Sequence, residues 1–221
     1  MTQLQEHTEA KDVKAMGPYF VSENPPHYLS AVELADMPEM VRILNIDKKV
    51  YNGTASFQYP YLESHAQARI ERAIGYHASK GINTHWAMRT SPQGPIIGWI
   101  HAYFHEDAER QVSPRTGAPL KEADIGYWVS PEYVGKGYAG RSARYVVQEI
   151  LFKEFDCDVV KGEAYTSNIA SRKILQGSGM KPEFDFRMSF IPKLQQERET
   201  CGYVAYRDSA VEEVVTKAAA K

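Results

Sequence analysis

Three glycines within six residues, in Gly135-Lys136-Gly137-Tyr138-Ala139-Gly140, form the stretch with the clearest chemical meaning. They follow a strand-like run, Ile125-Gly126-Tyr127-Trp128-Val129, across a short turn, Ser130-Pro131-Glu132-Tyr133-Val134. They open directly into a helical pattern. Glycines so spaced let the backbone turn tightly and aim free N–H groups at one point. A helix start adds the positive end of its dipole. The combination suits a phosphate group. A tight turn before a surface helix is the plainer alternative; one glycine would favour it more than three do.

Three phosphate-binding patterns compete for this stretch. The P-loop requires Ser or Thr after its Lys, and Lys136 is followed by Gly137, so it fails. The dinucleotide pattern Gly-x-Gly-x-x-Gly is matched by Gly135, Gly137 and Gly140, with Asp156 and Asp158 at a suitable distance. Its glycines should follow their strand at once, however, and here a turn containing Pro131 intervenes. Too little chain follows for the rest of a doubly wound sheet. The third pattern is the acetyl-CoA pyrophosphate loop, Arg/Gln-x-x-Gly-x-Gly/Ala. Val134, Gly137 and Ala139 fit it at all but the first position.

The elements that must position this loop alternate between strand and helix. A strand is expected near 28–33. Asp36-Met37-Pro38-Glu39 reads as a capping box, and Met37, Met40, Val41 and Leu44 then form a helical stripe. A second helix should start at Ser64, carry Ala66, Ile70, Ala73, Ile74 and His77 on one face, and stop at Gly81. Residues 85–89 and 96–103 read as a hairpin around Ser91-Pro92-Gln93-Gly94. The polar loop 106–120 is long for a compact domain and is a candidate wall of the acceptor site. Strand 124–129, the glycine loop, a helix to about Phe155 and strand 158–165 follow. Ser167-Asn168 caps a shorter helix ending near Gly177-Ser178-Gly179. Strands 184–191 and 202–207 should close the sheet as an antiparallel pair.

The chain has 221 residues, 43% hydrophobic and 24% charged, with a formal net charge of −2. That is one ordinary globular core. We expect a leader at 1–17, disordered by composition, a domain over 18–208 and an Ala-rich tail at 209–221. No cationic excess suits a nucleic-acid backbone, so no nucleic-acid partner is expected. No apolar run approaches the ~20 residues of a membrane helix, so no membrane partner is expected either. Cys157 and Cys201 lack ligand spacing, so we expect no metal, inert thiols and a cytoplasmic protein.

The run from Asp124 to Met180 resembles the GNAT superfamily of acetyl-CoA-dependent N-acetyltransferases. The resemblance rests on 125–129, on 135–139, on Asn168-Ile169-Ala170-Ser171 and on Leu175-Gln176-Gly177-Ser178-Gly179-Met180. It is closest to the branch containing the ribosomal-protein N-terminal acetyltransferases. It implies an α/β (α+β) fold with a mixed, mostly antiparallel sheet flanked by helices, splayed at the cofactor site after Val129. Acetyl-CoA would lie along Trp128 and Val129, with Val134, Gly135, Lys136, Gly137, Tyr138, Ala139 and Gly140 around its pyrophosphate. Asn168 would bond the pantetheine arm. Three departures stand out: Val134 for the common Arg or Gln, Arg141 where relatives often carry Glu, and Leu175 where many carry a Tyr acid.

The resemblance implies acetyl transfer to a primary amine of a small molecule or a protein N-terminus, by a monomer or homodimer. Such chemistry needs a proton acceptor for the amine and a donor for the leaving sulfur. Ser171 would face the sulfur as acid, with Tyr165 as rival; an exposed helical Ser and a packed strand-end Tyr are the plainer readings. Asp124 stands where several relatives carry a Glu base, with Glu163 as second candidate and His101 as a minor one. His101 and His105 share a strand face, but no third metal ligand accompanies them. A non-catalytic acyl-CoA sensor and a nicotinamide-dependent oxidoreductase remain the alternative functions.

Overall fold

The computed structural model of the protein describes residues 15–105 and 111–219. Its strands are β1 (Tyr19–Ser22), β2 (His27–Ala31), β3 (His85–Arg89), β4 (Gly98–Phe104), β5 (Glu122–Val129), β6 (Val159–Tyr165), β7 (Lys181–Ile191) and β8 (Gln196–Tyr206). They form one sheet in the order β1-β2-β3-β4-β5-β6-β8-β7. Every neighbouring pair is antiparallel except β5 and β6. The mixed, mostly antiparallel sheet expected from the sequence is present.

Period-two alternation divides the side chains between two helical layers. Met88, Ile100 and Ile125 face α4 (Tyr138–Tyr145), its π-helical continuation Val146–Glu154, and α5 (Ile169–Gly177). Ala87, Trp99 and Trp128 face α1 (Met37–Leu44) and α3 (Glu63–Lys80). The apolar stripe on the helix after the glycine loop is buried as expected, with Ala143, Val146, Val147, Ile150 and Leu151 fully enclosed. The switch to π-type bonding in its second half, where the Phe155 N–H donates to Ile150 C=O, has no signature in the sequence.

Several local expectations change. Asp36 precedes α1 without capping it: its carboxylate makes two bonds to Arg89, at 2.7 and 2.8 Å, and accepts the Glu33 N–H. A buried guanidinium claims the carboxylate more strongly than a helix end does. Helix α3 begins at Glu63, where His65 rather than Gln67 closes the box by accepting the Leu62 N–H. Strand β1 and the short helix α2 (Lys49–Gly53) were not anticipated. The leader expected at 1–17 lies outside the described residues as far as 14. Ala15 is buried, its carbonyl accepting from Asn83 and the Trp86 indole, so packed chain begins before residue 18. The segment read as a tail is helix α6 (Ser209–Ala219), with Val211 fully buried against Val159 and Val204. No described helix is long and apolar enough to cross a membrane.

The Asp36–Arg89 pair ties the start of α1 to the β3–β4 hairpin, with Arg89 also bonded to Ser30 and Gly94 C=O. Removing one partner of such a buried pair strands the other. Asp36→Ala should therefore lower unfolding free energy by ~3–5 kcal/mol in a urea titration. A loss below ~1 kcal/mol would show the pair to be dispensable.

Candidate active site

The site exists because two neighbouring strands part. Strands β5 and β6 pair only at Glu122 with Val159, Ala123 with Val160 and Asp124 with Lys161. Beyond Asp124 they diverge, so the splay starts five residues before the expected Val129. Gly162, the first β6 residue past the pairing, leaves room for α5 to approach the sheet. A Cβ on Gly162 would lie 2.7 Å from a Leu175 methyl and 3.6 Å from Ile125. Leu175, buried on α5, packs over Gly162 on the face of the sheet that also carries Ile125.

The parting leaves one edge of β5 open. Ser130 N–H donates to Ile97 C=O at 2.8 Å, so the even-numbered residues of β5 bond β4. The N–H and C=O groups of Tyr127 and Val129 must then point into the gap. That is an unpaired strand edge on which an extended amide-bearing chain can form bonds.

The glycine loop stands at the end of this gap. Gly135 and Gly137 have φ of +79° and +80°, a region that side chains disfavour, and Gly137 caps α4. Gly140 is inside the helix with a space of 4.0 Å to Ile174 at its missing Cβ, so the backbone does not require glycine there. The first α4 N–H with a helical acceptor is that of Arg141, bonded to Gly137 C=O, which leaves those of Tyr138, Ala139 and Gly140 for an anion. Arg141 folds back to bond Lys136 C=O at 2.8 Å. Lys136 lies over the Tyr133 ring. Beneath α4, buried His27 meets Ser142 Oγ at 3.0 Å; burial and Arg141 push its pKa down to about 4, so the first turn rests on a neutral imidazole.

Asn168 caps α5 as expected, its Oδ1 accepting the Ser171 N–H at 3.1 Å. The cap delivers Ser171 to the mouth of the gap. There Ser171 Oγ lies 2.9 Å from the Tyr127 hydroxyl, which also donates to Ser171 C=O at 3.1 Å. Burial pushes the Tyr127 phenol well above its ordinary pKa, so it stays protonated. Tyr127 was not among the residues expected in the site, although its strand was. Strand alternation opposite α5 was the signal that could have found it.

Two cavities meet at this pair. One, of about 280 Å³, runs past Val129, Val134, Ala139 and Asn168. The other, of about 430 Å³, is walled by Phe57, Trp99, His101, Glu163, Tyr165 and Arg187 among others. Gly53, Thr54, Tyr127, Trp128 and Ser171 line both. The first follows the open β5 edge at Tyr127 and Val129 and reaches Ala139, whose N–H is one of the three left free at the start of α4, so the residues fit acetyl-CoA.

The remaining candidates fall in different places. Tyr165 lines the larger cavity but not the smaller, and its hydroxyl donates to Thr54 C=O at 3.2 Å. Glu163 lines the larger cavity in an ion pair with Arg187; burial raises its pKa, Arg187 opposes the rise and the Asp124 charge adds to it. Asp124 itself lines neither cavity and pairs with His105 at 3.0 Å. His101 lies over Gly126 and stacks on His85, its pKa pushed down to about 3, mainly by burial. Described residues 111–120 lie at the opposite end of the sheet, with Ser113 and Arg115 bonded to Asp158, so they do not wall the acceptor site. That wall comes from 53–57, α3 and the β7–β8 hairpin, none of which local patterns singled out. No metal-holding group of His, Cys, Asp or Glu occurs among the described residues.

Comparison with known proteins gives the same picture. Residues 28–181 match the family described as the acetyltransferase (GNAT) domain. The FsC-acetyl coenzyme A-N(2)-transacetylase of Aspergillus fumigatus is 34% identical over 88 residues, 40% of this chain and 35% of that protein, so the match spans about a third of the relative. The ribosomal-protein-S5-alanine acetyltransferase of Vibrio fischeri superposes with a TM-score of 0.62 at 13% identity, covering 83% of this chain and 94% of that one. The microcin C7 self-immunity acetyltransferase MccE, solved with acetyl-CoA and AMP, superposes with a TM-score of 0.64 at 14% identity, covering 88% and 98%.

The loop geometry can be tested by Gly137→Asp. The side chain would have to adopt φ near +80°, at ~1–3 kcal/mol, and its Cβ would lie 2.8 Å from Arg141. It would also bring negative charge to an anion site. Calorimetry should show coenzyme A affinity reduced at least about tenfold, or ~1.4 kcal/mol, in a protein that still melts cooperatively. Unchanged affinity would move the pyrophosphate elsewhere.

Proposed function

The chain belongs to the GNAT acetyltransferase family, and from that premise we propose that it transfers acetyl from acetyl-CoA to a primary amine held in the larger cavity. The observation that carries the reading is the meeting of the two cavities at Tyr127 and Ser171. The names of the relatives, an N(2)-transacetylase and an alanine acetyltransferase, support amines as acceptors. Bound acetyl-CoA supplies an acyl group already activated as a thioester.

The chain's own groups do the rest. The free edge of β5 orients the pantetheine arm, and the Val129 N–H is available to polarise the thioester carbonyl. The N–H groups of Tyr138, Ala139 and Gly140 hold the pyrophosphate. Ser171 holds a proton at Oγ for the leaving sulfur, while the Tyr127 hydroxyl, 2.9 Å from that Oγ and donating to Ser171 C=O, fixes its position. Glu163 accepts the amine proton. Its raised pKa makes it a stronger base than an ordinary carboxylate, whereas His101, held near 3, is too weak to keep a proton at neutral pH. Asp124 assists from a distance, through the charge that lifts Glu163. Tyr165 keeps the 53–57 wall in place rather than serving as acid.

An amine panel read by mass spectrometry and thiol release tests the reaction. Coenzyme A binding without any release would identify a sensor instead. With an accepted amine, Ser171→Ala and Tyr127→Phe should each lower kcat, Ser171→Ala by ~10²-fold, the low end for a general acid. Coenzyme A affinity should be nearly intact in both. Tyr165→Phe should change kcat little; the reverse pattern would make Tyr165 the acid.

Glu163 must be ionised to accept a proton, so kcat/KM should fall as pH drops through its raised pKa. Glu163→Gln should lower kcat/KM and remove that acidic limb. An unchanged pH profile would exclude Glu163 as base.

A further inference from the structure

The larger cavity is lined by two arginines in different electrostatic situations. Arg187 is neutralised by Glu163. Arg69, projecting from α3, has no carboxylate within ion-pair distance among the described residues. Its guanidinium stands on the Phe57 ring, 4.2 Å from the centroid. It meets Ser56 at 3.4 Å to Oγ and 3.5 Å to the carbonyl, both at the long limit of a hydrogen bond, and also interacts with the Tyr61 hydroxyl. With His101 neutral, these side chains leave the lining one positive charge in excess. The Arg69 charge reaches far enough to disfavour protonation of both His85 and His101.

An excess positive charge repels a protonated amine unless the amine brings its own anion. Resting on the acetyl-transfer reading, we propose that the acceptor is an amine carrying a carboxylate, of the amino-acid class, whose carboxylate is held by Arg69. Glu163 lies in the same cavity as the proton acceptor for the amine while it stays paired with Arg187, so the charge left without a counter-ion is that of Arg69. A guanidinium fork matches a planar carboxylate with two parallel bonds. A phosphate monoester would bring a second negative charge that a single arginine does not balance. Phe57, Trp99 and Trp128 supply apolar surface between the charged ends, which favours an apolar or aromatic side chain on the acceptor.

The test uses products, so that it does not depend on turnover. A panel of N-acetylated aromatic and aliphatic amino acids, each paired with its carboxamide, is titrated by calorimetry into the full chain with coenzyme A present. Wild type should bind at least one carboxylate at least about tenfold more tightly than its amide. Arg69→Gln should abolish that preference and Arg69→Lys should retain part of it, with thermal melts showing that both variants fold. Equal binding of acid and amide by wild type, no binding of any panel member, or a preference that survives Arg69→Gln would overturn the proposal. The wild-type comparison decides even if Arg69→Gln does not fold. If the preference holds but neither free amino acids nor other amines release thiol from acetyl-CoA, the acetyl-transfer reading fails while the carboxylate site stands.

Discussion

Everything functional in this molecule depends on the parting of β5 from β6 after Asp124. A continuous β5–β6 ladder would satisfy the backbone groups of Tyr127 and Val129 and leave no gap. The ladder ends after Asp124 instead, and the orphaned N–H and C=O groups are left as an open edge. Buried polar backbone is costly to leave unpaired. The gap is therefore stable in open form because solvent or a ligand can reach it, and the Tyr127–Ser171 contact at its mouth joins the two sides. Position 175, where the family resemblance implies an acid, is a buried Leu packed over Gly162. The proton-donating role passes in our reading to Ser171, one helical turn earlier.

The charged groups follow a related division. Ion pairs that fasten the scaffold are closed and internally satisfied: Asp36 with Arg89 at one end of the sheet, Asp158 with Arg115 at the other. Pairs of that kind contribute specificity of geometry more than net stability. Around the gap the balance is left incomplete: the helix-start N–H groups and the strand edge have no backbone partner, and Arg69 has no carboxylate within ion-pair distance among the described residues. In our reading these groups are kept for an anionic donor and a charged acceptor, at some cost to stability.

The parts of the site built from consecutive residues were legible in the sequence. The glycine loop, the Asn168 cap and the buried stripe of α4 each depend on neighbours in the chain, and each appears where local pattern places it. The parts built by convergence were not. Tyr127 has a role only because α5 brings Ser171 above it. Residues 53–57 and Arg69 become a wall only once α3 packs across the sheet. The Asp36 box failed for the same reason: its competitor, Arg89, lies 53 positions away. Loop 106–120 was assigned to the acceptor site on length alone, whereas Asp158 draws its described part to the other end of the sheet.

Amide hydrogen exchange, followed residue by residue with and without acetyl-CoA, tests the central claim most directly. In the free protein the amides of Trp128 and Ser130, bonded to β4, should be protected, while those of Tyr127 and Val129 should exchange quickly. Acetyl-CoA should protect Val129 together with Tyr138, Ala139 and Gly140 and leave Trp128 unchanged. Slow exchange at Tyr127 and Val129 in the free protein would mean that the β5–β6 ladder is closed. Added acetyl-CoA that left Val129 unprotected would mean that the open edge is not where it binds.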